Sequence, residues 1–553
     1  MTPLKRFYNL LELDKKDVSQ LFFYALFAGL ISLSLPLGIQ AIINFIQSGR
    51  VSASWIVLII LVVFGVALVG ILSLMQLRIS ENLQQKMFVR SSFEFASRLP
   101  KIKKEQLYNT YPPELASRFF DTITIQKGTS KLLLDFSAAL LQISFGIILL
   151  SLYHPFFIIF GILLFFLLYF VFRFSYTSGL ETSMKESKFK YKVANWLHEM
   201  ARNNYSFKNE INYDFALQKN NLLVTDYLNY RENHFKIIQR QFSQLIIFKV
   251  IITASLLLIG GFLVLSQKMN IGQFVASEII ILLVINSVEK IILGIETFYD
   301  VLTSVEKIGE VTDLELEKDI NIDRDICYTS INLEAENIKF KFPDSEKKII
   351  NDISIKINQG EKIIIDGENS SGKSTLIKIL CGLIEPKSGA LYINDDTFRK
   401  LNLLQFRSQI ASVLYGETTF EGTLLENIAF NNPAVSLEDV KWAIEGVQLT
   451  RFIKSLPNGL DTLIFPESKQ LSSSNAQKIL LARSIISKPK ILFYEDPTST
   501  MDEIEANKII DFITSKDNKW TIIVSSKNPH WKAKCDRKIT MQNGTIQLDI
   551  NTK

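Results

Sequence analysis

Cysteine is scarce in this chain of 553 residues: Cys327, Cys381 and Cys535 are its three copies, all in the second half and none at metal-ligand spacing. That excludes a disulfide framework and a cysteine-built metal centre, and it predicts a reducing compartment for that half. Charge is nearly balanced, with a formal net charge of +5, so the composition lacks the strongly basic footprint of a nucleic-acid-binding protein. The first apolar run, which follows Met1-Thr2-Pro3-Leu4-Lys5-Arg6, has no small-residue cleavage site after it. It is expected to be a retained anchor and not a signal peptide. The first half also lacks charge over long stretches, and from that absence the membrane reading follows.

Six apolar segments run through Leu21–Phe45, Trp55–Leu77, Leu132–Leu152, Phe156–Phe174, Phe242–Leu265 and Ile271–Phe298. Each approaches or exceeds the ~20 residues that a helix needs to cross a bilayer. The second-to-third connection carries Arg78, Lys86, Arg90, Arg98, Lys101, Lys103 and Lys104. The fourth-to-fifth carries Lys185, Lys188, Lys190, Lys192, Arg202, Lys208 and Lys219. The three short connections carry only Arg50 and Lys268. Positive charge on the inner side therefore places both long connections and both termini in the cytoplasm. Helical spacing within those connections predicts that the spans continue beyond the membrane. Breakers at Pro112-Pro113 and Asn203-Asn204 would mark hairpin tips able to touch a cytoplasmic partner domain. Residues 2–16 read equally as an amphipathic helix on the membrane lipid surface or as a solvated basic tail. Within the spans, Lys249 and Glu289 fall at similar depth and are expected to pair, or each to reach the interface alone. Glu278 would face the pathway.

The second half carries the chemistry. An apolar run, Lys362-Ile363-Ile364-Ile365-Asp366, leads into Gly367-Glu368-Asn369-Ser370-Ser371-Gly372-Lys373-Ser374-Thr375 and then a helical pattern from Leu376. This is a phosphate-binding loop in its required context of strand, glycine turn and helix. Its glycines let backbone N–H groups face phosphate oxygens, and the helix N-terminus and Lys373 supply positive charge. Ser374 offers a hydroxyl to Mg²⁺. The chain is thus expected to bind a nucleoside triphosphate.

Six spans with two long cytoplasmic connections, followed by this loop, resemble an exporter-type ABC half-transporter. The resemblance implies an all-α transmembrane domain over residues 1–312, a linker over 313–330 and an α/β P-loop ATP-binding domain over 331–553. Gly382, Pro386 and Gly389 punctuate the chain as in the family. The resemblance implies ATP and Mg²⁺ as ligands, with Phe342 stacking on adenine and Ser472 and Ser474 in the signature loop Leu471-Ser472-Ser473-Ser474-Asn475. It puts Glu495 on Mg²⁺, Asp496 on the attacking water, Tyr415 in place of the family's glutamine and Lys527 in place of its histidine. Asp502 would lie at a dimer interface. His530 is read as a surface or packing residue.

Four positions depart from the family pattern. A phenol at 415 cannot copy an amide. Ser474 adds a side chain where glycine is usual. Lys527 can meet a phosphate only as a cation. Asp496 is shorter than glutamate by roughly 1.5 Å, and a misplacement of that size can cost ~100-fold in rate. Two readings follow: a dimeric ATP-driven exporter, or an ATP-binding regulatory half or membrane scaffold with little hydrolysis of its own. Leu456-Pro457-Asn458-Gly459-Leu460-Asp461-Thr462 and Phe420-Glu421-Gly422-Thr423 look like exporters of the haemolysin and peptide-secretion type. That likeness implies a periplasmic adaptor and a place in the inner membrane. The chain is expected to lack the cysteine-peptidase domain of some such exporters, because its first span begins so early.

Overall fold

The computed structural model describes residues 1–47, 53–108, 110–317, 328–343, 345–466 and 471–552. It divides into two units: residues 1–102 with 109–315, and residues 103–108 with 316–553. Arg50 and most of the expected 313–330 linker lie outside the described residues.

The first unit is helical, and its long helices follow the apolar runs beyond their predicted ends: Ala53–Arg98, Asp121–Tyr153, Phe156–Arg202, Glu210–Leu265 and Ile271–Thr312. The tips form where breakers were read. Pro112 and Pro113 open the helix Pro112–Ser117, where a missing N–H costs nothing. Asn209 caps Glu210–Leu265 by accepting the Asn212 N–H at 2.8 Å.

One expectation for the spans is corrected. The first span is not one helix but two, Lys15–Ser32 and Ser34–Gln47, broken at Leu33. Pro36 cannot donate a hydrogen bond to the preceding turn, and its ring crowds it. Among the described residues, five helical stretches are long and apolar enough to cross a membrane by length and composition. The sixth segment, within Ile271–Thr312, is a continuous helix that supplies much of the buried core of the unit. Glu278, Asn286, Glu289 and Lys290 interrupt its apolar surface.

Close packing in this unit depends on small residues. A Cβ on Gly179 would lie 2.3 Å from Cζ of Tyr299, whose hydroxyl donates to the Ser175 carbonyl at 3.1 Å. Lys249 and Glu289 meet at 3.4 Å as an ion pair. The N-terminal helix Pro3–Leu13 lies on protein: Phe7 packs edge-on to Phe298, and Arg6 pairs with Glu306 and Asp313.

The second unit is built on a six-stranded sheet. In order its strands are Thr545–Asn551, Arg537–Gln542, Lys362–Gly367, Thr521–Ser525, Ile491–Glu495 and Ile410–Val413. All pairings are parallel except that of the edge strand Thr545–Asn551. A four-stranded antiparallel sheet, which includes Leu333–Phe340 and Ile350–Ile357, shares one apolar core with Ile363, Ile365 and the helix Lys373–Leu380. Ile364 faces a second core on the opposite side. Strands buried on both faces explain the unbroken isoleucine run before the glycine loop.

Substituting Gly179→Val should destabilise the first unit by about 1–3 kcal/mol, because Tyr299 must move. Gly70→Ala, inside the helix Ala53–Arg98 with nothing within 4 Å of the added carbon, should not destabilise the unit and should add up to about 1 kcal/mol. Thermal unfolding of both variants in detergent checks the contrast.

Candidate functional site

The glycine loop is held between two carbonyls that leave no space for side chains. A Cβ on Gly367 would lie 2.2 Å from the Met541 carbonyl oxygen, and one on Gly372 would lie 2.8 Å from that of Ile349. Both glycines also adopt positive φ, +143° and +101°. Gly372 caps the helix Lys373–Leu380, so the free N–H groups of its first turn open onto the loop. Glu368, Asn369, Ser370 and Ser374 are exposed there, whereas Ser371 and Thr375 are buried beneath. The Lys373 ammonium folds over the loop, donating to the carbonyls of Gly367 at 2.8 Å and Glu368 at 2.6 Å and to Ser371 Oγ at 3.3 Å. Burial lowers its pKa; Asp366 and Asp496 oppose that shift and Lys527 adds to it.

Neighbouring strand ends bring up the acidic groups. Glu495 ends the strand Ile491–Glu495 and is 7% exposed. Its Oε2 accepts the Tyr415 backbone N–H at 2.9 Å, while Oε1 is buried with no hydrogen-bond partner. An orphaned carboxylate oxygen suits a hard cation, so this donor set fits Mg²⁺, with Ser374 as the second protein oxygen. Asp496 stands at φ +42°; its N–H donates to the Ser525 carbonyl at 2.8 Å and its Oδ1 accepts the Lys527 N–H at 3.3 Å. The loop, Glu495, Asp496 and Lys527 therefore converge at one end of the parallel sheet.

Other candidates stand differently. Tyr415 reaches Glu495 through its backbone, while its side chain is 87% exposed. Ser472 caps the helix Ser473–Ile485 by accepting the Asn475 N–H at 3.2 Å, and Ser474 lies in its first turn. That helix packs on Leu424–Ala429 and Leu437–Gly446, and no described hydrogen bond joins either serine to the glycine loop. Asp502 caps Glu503–Ile513. Phe342 packs edge-on to Phe340 at 5.1 Å between ring centroids and to Tyr108 at 4.9 Å. His530 meets Asp511 at 2.9 Å, in a packing role.

One residue escaped the sequence reading. Asp366, immediately before the first loop glycine, accepts the Gly367 N–H at 2.9 Å and pairs with Lys532 at 2.8 Å and Lys538 at 3.2 Å. Burial pushes its carboxyl up, but Lys532, the Gly367 N–H and Lys538 outweigh it and hold the pKa at about 2. The available signal was an acid at the end of an otherwise apolar strand.

Residues 350–499 match the ABC transporter family model. The chain is 30% identical over 295 residues to the alpha-hemolysin translocation ATP-binding protein HlyB of Escherichia coli O157:H7, covering 52% of this chain and 41% of that protein. It is 30% identical over 241 residues to the ATP-dependent permease MDL1 of Candida albicans, covering 42% of this chain and 35% of that protein. The chain thus spans less than half the length of these curated relatives. Among solved structures, a bacterial Atm1-family ABC exporter with ATP bound superposes with a TM-score of 0.83 at 16% identity, covering 97% of this chain and 95% of the other.

Because the folded pKa of Asp366 lies below its ordinary value, its contribution to stability is present above the unfolded pKa and is lost as pH falls through about 2. Asp366→Asn should therefore lower the stability of the second unit at neutral pH by about 1 kcal/mol. The difference should shrink on acidification below pH 4, as thermal unfolding across pH would read.

Residues 350–499 thus carry an ABC transporter domain, and the whole chain has the fold of an ABC exporter, a unit of long helices joined to an α/β unit.

Proposed function

We propose that the chain is one half of a dimeric exporter in the inner membrane, driven by ATP. Residues 1–312 would form the membrane domain, 313–330 the linker and 331–553 the nucleotide domain, with both termini in the cytoplasm. The observation that carries the proposal is the convergence of Lys373, the open helix N-terminus and the free oxygen of Glu495 at one sheet end. Loop N–H groups and Lys373 would hold the triphosphate; Ser374 and Glu495 would hold Mg²⁺, which screens phosphate charge when bound. Asp496, held against the Lys527 N–H, would orient the attacking water. Ser472 and Ser474 would meet the γ-phosphate bound by a second subunit, identical or different. Closure of two nucleotide domains would then alternate the access of the helical bundle.

The relative named for translocation of alpha-hemolysin supports a secreted polypeptide as cargo, and a periplasmic adaptor would be a further partner. A second reading, a regulatory half that binds ATP and turns it over slowly, is favoured by the exposed Tyr415 phenol and the short Asp496 carboxylate.

Hydrolysis by the purified full chain in lipid separates the readings. A hydrolytic exporter predicts measurable turnover that falls about 100-fold or more in Asp496→Asn. It also predicts that Asp496→Glu, which restores the reach of the carboxylate, is at least as fast as the parent. Absent turnover in the parent supports the regulatory half, and turnover unaffected by Asp496→Asn removes the role given to Asp496.

A further inference from the structure

The segment Lys103–Tyr108 lies far from the nucleotide domain in sequence but belongs to its structural unit. It is a short turn, Lys104–Leu107, tied to that unit where Glu105 Oε1 accepts the Glu385 N–H at 3.1 Å. Tyr108, which follows it, packs against the unit's apolar core beside Phe342 and Ile349. Its ring stands at 90° to that of Phe342, with centroids 4.9 Å apart. Phe342 in turn stands at 87° to Phe340, 5.1 Å away. Phe342 therefore has one aromatic neighbour from its own chain segment and one from Tyr108.

This contact continues to the phosphate loop through the backbone. Phe340 accepts the Ile349 N–H at 2.9 Å. The Ile349 carbonyl is the atom that leaves no space for a side chain at Gly372. Two ring contacts, the hydrogen bond from Ile349 to Phe340 and the close approach of the Ile349 carbonyl thus lead from the Tyr108 ring to the glycine that caps the phosphate-binding helix. The Tyr108 hydroxyl is buried with no hydrogen-bond partner, and burial, with a smaller push from Glu105, raises its pKa to about 12. The phenol is therefore neutral at physiological pH, and its ring is the part that makes the contact.

We propose that Tyr108 is a positioning residue for nucleotide binding: it fixes the Phe342 ring in the orientation that receives the base. An edge-to-face pair is directional, so removing Tyr108 frees Phe342 to turn without changing the phosphate loop. The effect belongs to the base and not to the phosphates. This inference rests on Phe342 being the base-stacking ring, and the test separates the two claims.

Equilibrium binding of Mg-ATP and of magnesium tripolyphosphate, which has no base, is measured on the full chain in detergent. Tyr108→Leu keeps apolar bulk and removes the ring; it should weaken Mg-ATP about fivefold and tripolyphosphate less than about twofold. Tyr108→Phe keeps the ring and should bind both like the parent. Phe342→Ala should also weaken Mg-ATP selectively. Tyr108→Leu that leaves Mg-ATP unchanged, or weakens both ligands equally, overturns the proposal. Loss of Mg-ATP affinity in Tyr108→Phe overturns it too, by assigning the effect to the hydroxyl. If Phe342→Ala binds Mg-ATP normally, the base-stacking reading itself fails, whatever Tyr108 does.

Discussion

The backbone of the loop from Gly367 to Gly372 is fixed by two carbonyl oxygens, those of Met541 and Ile349, which press where a side chain would begin. The rest of the site depends on this constraint. Met541 lies on the strand Arg537–Gln542, which pairs in parallel with Lys362–Gly367; Ile349 leads into the antiparallel sheet. Both sheets therefore border the loop. Lys373 lies across the loop carbonyls, and parallel pairing carries Glu495 and Asp496 to the same sheet end. Asp366 adds a charged anchor beneath, joined to Lys532 and Lys538.

The membrane unit obeys a different economy of contacts. Its helices approach closely where glycine leaves room, as at Gly179 against Tyr299 and at Gly128 against Val301. Lys249 and Glu289 form an ion pair within it. The helix Ile271–Thr312 combines both features, with Gly294 against Phe136 and Glu289 paired to Lys249. Its Glu278 and Glu289 are half-buried among neighbouring helices, whereas Asn286 and Lys290 lie on its exposed side.

Much of this was legible in the sequence because long apolar runs and a glycine loop are local signals. The helices, both hairpin breaks and the loop follow from spacing and turn chemistry. The Lys249–Glu289 pair followed from depth along two helices. What was illegible depends on tertiary detail. Pro36 gave notice of a break in the first helix, but an apolar run hides a kink. Tyr415 was read by its side chain, whereas the fold uses its N–H, a group every non-proline residue has. Asp366 and Tyr108 belong to no motif; their partners, Lys532 and Phe342, are distant in sequence.

The proposed function separates two tasks: loop, lysine and Glu495 would bind the nucleotide and its cation, while Asp496 and Lys527 would serve its cleavage. The most direct test is equilibrium binding of ATP to the full chain with and without Mg²⁺, in the parent and in Asp496→Asn. The account predicts binding that Mg²⁺ strengthens and that the substitution leaves unchanged. Absence of binding in the parent, or its loss in Asp496→Asn, would contradict it.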